Sequence, residues 1–323
     1  MMYIYPDFVP AFACEMCGLC CRNDWQVTVD EASYRRNETL FASAHKMSEF
    51  HQAFLPLEKG GSPGEYAAIA KKEGGCWFLD SANRCSLHLA GGHSHLDAVC
   101  QTYPRYPIHT ERGWDVTLSF SCPAVLKLVN RHQPLQFIRS EAEPLAFLAE
   151  AAVAQVFPSQ QRSGSVLRYY FELEQHFIDI LQFRPLPLAG RLNFLQSAAA
   201  AISDLAGRED LGSSLRSLIY SHYDRLDSLA GAGEGAESEP VVTAEILAEH
   251  FFVNLVFKKV PYLYGLQTMT ALLERLWQTI AASCRGAADP ADELSRARAA
   301  IMELELTYSH NRQALLGQAA KPV

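Results

Sequence analysis

The stretch Cys14-Glu-Met-Cys17-Gly-Leu-Cys20-Cys21 places four cysteines within eight residues, close to the beginning of a chain of 323 residues. Two residues between successive cysteines let a tight turn aim their sulfurs at one centre, and Gly18 removes a side chain where the backbone must fold closely. The side chains of Cys20 and Cys21 diverge in a strand and differ by about 100° on a helix. Both can therefore bind metal only if one centre wraps around them or if each serves a different centre.

Further cysteines follow this run. Eight of the nine cysteines precede residue 123, and all eight are candidate metal ligands: Cys14, Cys17, Cys20, Cys21, Cys76, Cys85, Cys100 and Cys122. Cys122 lies between a predicted strand and an apolar run, so it is either a ligand or a core residue. His88 follows Cys85 by three residues and is either a ligand or a solvated side chain. Cys284 lies at the end of a predicted helix, where we expect a structural role.

Thiolate ligands of this kind serve both zinc and iron–sulfur centres. Plain zinc sites usually come as two separated Cys-x-x-Cys pairs, and the segment from Cys76 to Cys122 contains no such pair. The spacing therefore favours an iron–sulfur centre and leaves zinc as the alternative. Radical S-adenosylmethionine enzymes use a different spacing, with three residues before the second cysteine, so the run does not support radical chemistry.

Composition and charge exclude several classes of protein. Apolar residues make up 49% of the chain and charged residues 20%, which is ordinary for a globular protein. The formal net charge of -8 argues against a nucleic-acid partner, whose phosphates need Lys and Arg. We find no uninterrupted apolar run of about 18 residues, so no membrane association is expected. Residues 1–10 lack the features of a signal peptide, which predicts a cytoplasmic protein whose thiols stay reduced.

The two halves of the chain differ in pattern. Glycine and proline interrupt the first 130 residues, where residues 25–29 and 114–120 alternate as strands do and residues 31–54 predict one or two short helices. Later segments with apolar residues at helical spacing predict helices at 143–157, 163–183, 188–205, 213–226, 243–259, 262–284 and 290–313. The fold class is therefore α+β, with an irregular metal-binding cysteine domain at 1–130 and a mainly helical domain at 131–323. A flexible acidic loop is expected at 228–241.

The cysteine motifs resemble those of the flagellin lysine-N-methylase family and of the broader group of zinc- or iron-chelating cysteine-cluster proteins. The matching elements are Cys14-x-x-Cys17-Gly-x-Cys20-Cys21 followed by Trp25, Cys76-x-Phe-Leu-Asp, Arg84-Cys85-Ser-Leu-His88, Val99-Cys100-x-Thr-Tyr103-Pro104-Arg105, Leu118-Ser-Phe-Ser-Cys122-Pro123, Leu181-Gln-Phe-Arg184 and Phe251-Phe-Val-Asn254. The first run is more compact than in the methylase branch and is closer to the broader group.

This resemblance implies a [4Fe–4S] cluster and methyl transfer from S-adenosylmethionine to the ε-amino group of a lysine in a protein substrate, with flagellin as one such substrate. Tyr103 and Arg105 are the candidate cofactor-binding residues, although they could equally pack around the cluster. Asn254 is either a buried hydrogen-bonding anchor or a cofactor contact. No residue stands out as the catalytic base.

Two functions of different classes follow. One is an enzyme, an iron–sulfur-dependent protein lysine N-methyltransferase. The other is a protein that binds zinc or iron through its cysteines without catalysis. The large helical half favours the enzyme, because holding one metal centre does not require it.

Overall fold

The computed structural model describes residues 1–23, 25–57, 65–147, 152–230 and 241–309. These residues fall into two units. The first, here called the cysteine unit, contains the described residues of Phe12–Arg105 and Ala146–Ala152. The second, the helical unit, contains those of Met1–Ala11, Tyr106–Leu145 and Val153–Val323. This division follows from which residues lie near one another and not from independent folding. The domain boundary expected at residue 130 therefore stays a prediction.

Short strands and helices come first along the chain, and long helices follow. The strands are β1 (Tyr3–Pro6), β2 (Thr28–Val29), β3 (Phe54–Pro56), β4 (Ala67–Ile69), β5 (Lys71–Lys72), β6 (Gly75–Cys76), β7 (Arg105–Thr110), β8 (Gly113–Leu118), β9 (Phe137–Ser140) and β10 (Ala154–Val156). The α-helices are α1 (Leu19–Arg22), α2 (Glu31–Ser43), α3 (Met47–Ala53), α4 (Ser86–Gly91), α5 (Ala98–Thr102), α6 (Pro123–Leu128), α7 (Tyr170–Leu181), α8 (Leu188–Ser203), α9 (Leu211–Ala230), α10 (Ala244–Phe257), α11 (Val260–Tyr264), α12 (Leu266–Cys284) and α13 (Pro290–Ser309). The predicted α+β class is confirmed.

The cysteine unit has an aromatic core of its own. Strands β2, β4 and β3 form an antiparallel sheet. Asp30 caps helix α2, because its side chain accepts a hydrogen bond from the backbone N–H of Ser33 at 2.8 Å. Phe54 packs on Phe50 and Phe78 with ring centres 4.8 and 5.4 Å apart, and all three are buried. The unit is therefore held by hydrophobic packing as well as by any metal, which the punctuated sequence did not suggest.

The helical unit contains a five-stranded sheet with the strand order β10-β7-β8-β1-β9. Strand β1 runs parallel to β8, with Tyr3 opposite Trp114, and antiparallel to β9. Strand β10 runs parallel to β7, with Ala154 opposite Ile108. The helix predicted at 143–157 is wrong in its described part, because the backbone groups of Ala154–Val156 pair with β7 instead; residues 148–151 lie outside the described residues.

The long helices of this unit surround α10, whose residues are almost all buried. Thr243 caps α10 by accepting a hydrogen bond from the N–H of Ile246 at 3.3 Å, and α10 packs against α7, α12 and α13. Helix α9 continues to Ala230, and most of the predicted acidic loop, residues 231–240, lies outside the described residues. Within the described ranges, none of the helices combines the length and the apolar character that a bilayer crossing requires.

A buried ion-pair network fixes the end of α10 against the sheet. Lys259 forms ion pairs with Asp115 at 2.6 Å and with Glu174, and Arg112 contacts both carboxylates at 2.6 Å. Two cations face two carboxylates, so the network is balanced in charge. Removal of one partner would leave an uncompensated buried charge, which is why such networks tolerate substitution poorly.

Two histidines of the helical unit share one hydrogen bond. His176 on α7 and His222 on α9 are both buried, and Nε2 of His176 lies 3.0 Å from Nδ1 of His222. One ring must donate and the other must accept, so the pair is stable with both rings neutral. Burial lowers the pKa of His176 to about 3, and it also lowers the pKa of His222.

This pair predicts an acid-sensitive helical unit. Its contribution to stability is present above the unfolded-state pKa of 6.5 and is lost as the pH falls towards the folded-state value of about 3. At a pH of about 5, we expect His176 alone to lower the free energy of unfolding by about 2 kcal/mol. Urea unfolding between about pH 7 and pH 5 measures this. The double variant His176→Phe/His222→Phe should flatten the pH dependence, and His45→Ala, which removes an exposed histidine, should leave it unchanged. An equally steep dependence in the double variant would contradict the assignment.

Candidate metal centre

The first cysteine run enters a single helical turn. Gly18 precedes α1 with φ at 70°, a conformation that glycine adopts without strain. Cys20 and Cys21 lie on α1, and their sulfur atoms are 3.9 Å apart. Cys14 and Cys17 lie before the helix and are exposed. Although a helix separates adjacent side chains by about 100°, these two cysteines present their sulfurs side by side.

The second cysteine group lies on a closed loop. Lys71 of β5 pairs with Cys76 of β6, and an isolated β-bridge joins Leu79 to Cys85. Asp80 closes the turn between them, because one of its oxygens accepts hydrogen bonds at 2.8 Å from the N–H groups of Ala82 and Arg84. Cys76 and Cys85 are therefore held near the two ends of one fixed loop.

The first run packs directly on this loop. A Cβ atom at Gly18 would lie 3.1 Å from Cβ of Asn83 and 3.2 Å from the side chain of Leu79. Arg22 donates hydrogen bonds to Oδ1 of Asn83 and, at 3.3 Å, to the carbonyl of Cys17. Glycine is thus required at position 18 by its backbone conformation and by the closeness of the loop.

Cys100 joins the group from a third segment. It lies on α5, which is capped by Asp97, whose side chain accepts a hydrogen bond from the N–H of Val99 at 3.0 Å. Desolvation is the main cause that raises the pKa of Cys100, and the charge of Asp97 adds to it. Negative charge on Cys76, Cys85 and Cys20 raises the pKa of Cys100 further. Since Coulomb interactions weaken with distance, the coupling indicates that these thiols lie near one another.

One sulfur of the first run has a backbone donor, because Cys14 accepts a hydrogen bond from the N–H of Met16 at 3.4 Å. Cys85 lies at the N-terminus of α4 without a hydrogen bond from its side chain to the helix. Nearby backbone N–H groups, of Phe78 for Cys76 and of Leu87 and His88 for Cys85, still favour the thiolate form against the larger effect of burial on the pKa. Such donors stabilise negatively charged sulfur and are found around metal-bound thiolates.

The thiols differ in how readily they ionise. A hydrogen bond from the Cys21 thiol lowers the pKa of Cys20 to about 7, and the same contact, together with burial, raises the pKa of Cys21. Burial is the main cause that raises the pKa of Cys76, Cys85 and Cys100. A cation would therefore be needed to ionise most of the group, so metal binding should release protons.

The remaining candidates are placed less favourably. Cys122 belongs to the helical unit, where it precedes α6 and is 9% exposed. His88 is an exposed side chain on α4. Among the described residues, no three His, Cys, Asp or Glu side chains are arranged as a complete ligand set for one ion. The structure thus gathers thiols from three segments without aligning them as a finished site.

Tyr103 and Arg105 both lie in the cysteine unit. Tyr103 packs edge-on against Trp25, with ring centres 5.2 Å apart. The guanidinium of Arg105 lies over the ring of Phe12 at 5.9 Å, and burial lowers its pKa, whereas the Cys14 thiolate favours its charge. Its Nε has no hydrogen-bond partner among the described residues.

Asn254 is a hydrogen-bonding anchor within the helical unit. Its Nδ2 donates to the carbonyl of Leu118 at 3.0 Å, and its Oδ1 accepts from the hydroxyl of Thr117 at 2.5 Å. Both ends of the buried amide are used by β8. This observation supports the interpretation of Asn254 as a buried hydrogen-bonding anchor rather than as a cofactor contact.

Comparison with known proteins agrees with this geometry. Residues 13–122 match the family model CxxCxxCC, described as "Putative zinc- or iron-chelating domain". This region is similar to the broad cysteine-cluster group. The match does not single out the flagellin methylase branch. Searches of curated proteins and of solved structures found no match.

Sequence reasoning found the cysteines and a turn at residues 80–83, but not the contacts that position the thiols. Asp80 and Asp97 each accept backbone hydrogen bonds at the start of a turn or helix, and Asn83 receives Arg22. The two aspartates had a recognisable signal, since Asp commonly begins turns and helices. The contact between Arg22 and Asn83 joins residues 61 positions apart and had none.

Because the first cysteine run packs on the closed loop, replacement of Gly18 by alanine should affect stability and metal content more than replacement of Gly74. Gly18 and Gly74 both have positive φ, but a Cβ at Gly74 would meet nothing within 4 Å. Gly74→Ala should cost only the backbone strain, about 1–2 kcal/mol. Gly18→Ala should cost about 1 kcal/mol more, because the added methyl group is overpacked, and it should also lower the metal content. Denaturant unfolding and metal analysis measure both effects. Equal stability and equal metal content in the two variants would contradict the proposed packing.

Proposed function

We propose that the cysteine unit binds an iron–sulfur centre of the [4Fe–4S] type, with zinc as the alternative. The observation that carries the proposal is the approach of thiols from three segments of the chain. Cys20 and Cys21 come from α1, Cys76 and Cys85 from the closed loop, and Cys100 from α5. These residues, with Cys14 and Cys17 beside them, are the proposed source of ligands.

The donor set fits such a centre in chemistry. All seven cysteines of the unit carry thiols without a disulfide, Cys14 accepts a hydrogen bond from the N–H of Met16, and nearby backbone N–H groups favour the thiolate forms of Cys76 and Cys85. One tetrahedral zinc ion or one [4Fe–4S] cluster uses about four cysteines. The seven thiols of the unit are enough for either centre, so the preference for the cluster rests on the cysteine spacing. Arg22, beside Cys17, and Arg105, near Cys14, would offset its negative charge.

One distance supports the zinc alternative instead. The sulfurs of Cys20 and Cys21 are 3.9 Å apart. Two ligands of one tetrahedral zinc ion lie roughly 3.8 Å apart when each bond is about 2.3 Å. The cysteines of a [4Fe–4S] cluster bind different irons, so their sulfurs are farther apart. The identity of the metal is therefore the first property to measure.

Anaerobic purification tests the proposal. We expect brown protein with iron and acid-labile sulfide in comparable amounts, because a [4Fe–4S] cluster contains equal numbers of both. Colourless protein with stoichiometric zinc and no sulfide would contradict the cluster and support the zinc site. Protein without bound iron or zinc would contradict both the cluster and the zinc site.

Variants of single cysteines separate ligands from other thiols. Cys76→Ser and Cys85→Ser should each lower the metal content strongly, whereas Cys284→Ser is the matched control, because Cys284 lies in the helical unit. Cys76 and Cys85 are only partly buried against the aromatic core around Phe54, and serine is close to cysteine in size, so these variants should keep their far-ultraviolet circular dichroism. Full metal content in both loop variants would contradict the proposed ligands.

We further propose protein lysine methylation as the activity that the centre supports. The proposal rests on the resemblance to the methylase family. S-adenosylmethionine would supply the methyl group, which leaves its sulfur for the neutral lysine nitrogen and gives S-adenosylhomocysteine. In the cysteine unit, the Nε of Arg105, which has no partner among the described residues, could donate to the carboxylate of this cofactor. The substrate would be a protein with an accessible lysine, flagellin being one, and the location the reducing cytoplasm.

The Arg105→Ala variant distinguishes a pocket from charge compensation. If Arg105 binds the cofactor, affinity for S-adenosylmethionine should fall while the metal content stays constant. If Arg105 only offsets thiolate charge, as its interaction with Cys14 suggests, the metal content should fall. The control is Arg35→Ala, which removes an exposed arginine of α2. Unchanged affinity and unchanged metal content would eliminate both roles, and an absence of cofactor binding in the natural protein would leave the non-catalytic function.

A further inference from the structure

Three histidines lie within eight residues of the segment between Cys85 and Cys100. His88 is on α4, and His93 and His95 lie in the 3₁₀ turn that follows it. The proposed thiolate centre does not use them. Their arrangement has features of a site that binds metal through nitrogen.

The ring of His95 is held in one tautomer. Nδ2 of Asn37 donates to the carbonyl groups of Ser33 and His95, at 3.0 and 3.1 Å, and carbonyl oxygens can only accept. The other amide atom of Asn37 is therefore its oxygen, and it lies 3.0 Å from Nδ1 of His95. Nδ1 must carry the proton, so in the neutral ring Nε2 has a free lone pair. Among the described residues Nε2 has no hydrogen-bond partner, and histidines that bind metal are commonly fixed in this way.

The orientation of the same ring is fixed by packing. A Cβ atom at Gly91 would lie 2.5 Å from Cγ and 2.8 Å from Cδ2 of His95. Only glycine at position 91 leaves room for the imidazole. Asn37 and Gly91 together hold the ring from two sides, whereas a solvated histidine would need neither.

His88 and the ring of His95 lie on the same side of α4, and His93 lies beside His88. His88 precedes Gly91 by three residues, so both face one side of the helix, and the ring of His95 packs on Gly91. The ring centres of His88 and His93 are 6.0 Å apart. Two imidazoles on one tetrahedral ion have ring centres roughly 5 Å apart when the metal–nitrogen bonds are about 2.0–2.1 Å.

We propose that His88, His93 and His95 form a second metal site, which binds a divalent ion of the zinc class with water as the fourth ligand. Imidazole nitrogen suits zinc and its neighbours rather than magnesium or calcium. His88 and His93 are exposed, so rotation of their side chains can bring them to the lone pair of the fixed His95. The site differs from the thiolate centre in its donors and does not rest on the function proposed above.

Cobalt titration of the full-length protein, purified anaerobically with its metal, tests the site. Cobalt(II) bound by nitrogen and water absorbs in the visible range without the sulfur-to-metal charge-transfer bands of thiolate ligation. We expect one such ion per chain, displaced by Zn²⁺. His93→Ala and His95→Ala should each weaken binding about tenfold or more, and Asn37→Ala, which frees the His95 ring, about tenfold.

The matched control is His51→Ala, an exposed histidine in the same unit, which should bind as the natural protein does. His93 is exposed, so its replacement leaves the fold intact even if Asn37→Ala does not. Cobalt bound only with thiolate bands, or equally well by His93→Ala and His95→Ala, would overturn the site. Absence of iron and zinc from the purified protein would count against the thiolate centre and leave this result unaffected.

Discussion

The packing of the first cysteine run against the closed loop is the constraint on which the candidate centre depends. A Cβ atom at Gly18 would lie only 3.1 Å from that of Asn83, so glycine allows this close packing, and Arg22 joins the two segments by a hydrogen bond to Asn83. This contact brings the segment of Cys20 and Cys21 to the loop that carries Cys76 and Cys85, and the absence of a side chain at position 18 makes it possible.

The sequence predicted the metal-binding chemistry of the cysteine unit better than the contacts that bring its side chains together. The cysteine spacing pointed to metal, and apolar periodicity predicted helices that correspond to α8, α9, α10, α12 and α13. Cysteine spacing is a local pattern with a direct chemical meaning, and long helices repeat their signal many times. The approach of Cys100 and the clamp between Asn37 and His95 join distant residues, so no local pattern contains them.

At residues 143–157 a local pattern gave a wrong prediction. The apolar spacing there is typical of a helix, but Ala154–Val156 form an edge strand whose partner, β7, is more than forty residues earlier. Short apolar segments are ambiguous between helix and strand, and tertiary pairing decides. The aromatic core around Phe50 and Phe54 was also missed, because the glycines and prolines between its members hide it. This core means that the cysteine unit does not rely on metal alone for its stability.

X-ray absorption at the metal edge of the anaerobically purified protein tests the central claim most directly, because it reports the atoms bound to the metal. It is best measured on the His95→Ala variant, so that nitrogen donors from the histidine site do not overlap. The account predicts iron or zinc with sulfur neighbours at about 2.3 Å, lost in Cys76→Ser. A metal surrounded only by oxygen and nitrogen, or a sulfur signal unchanged in Cys76→Ser, would contradict it.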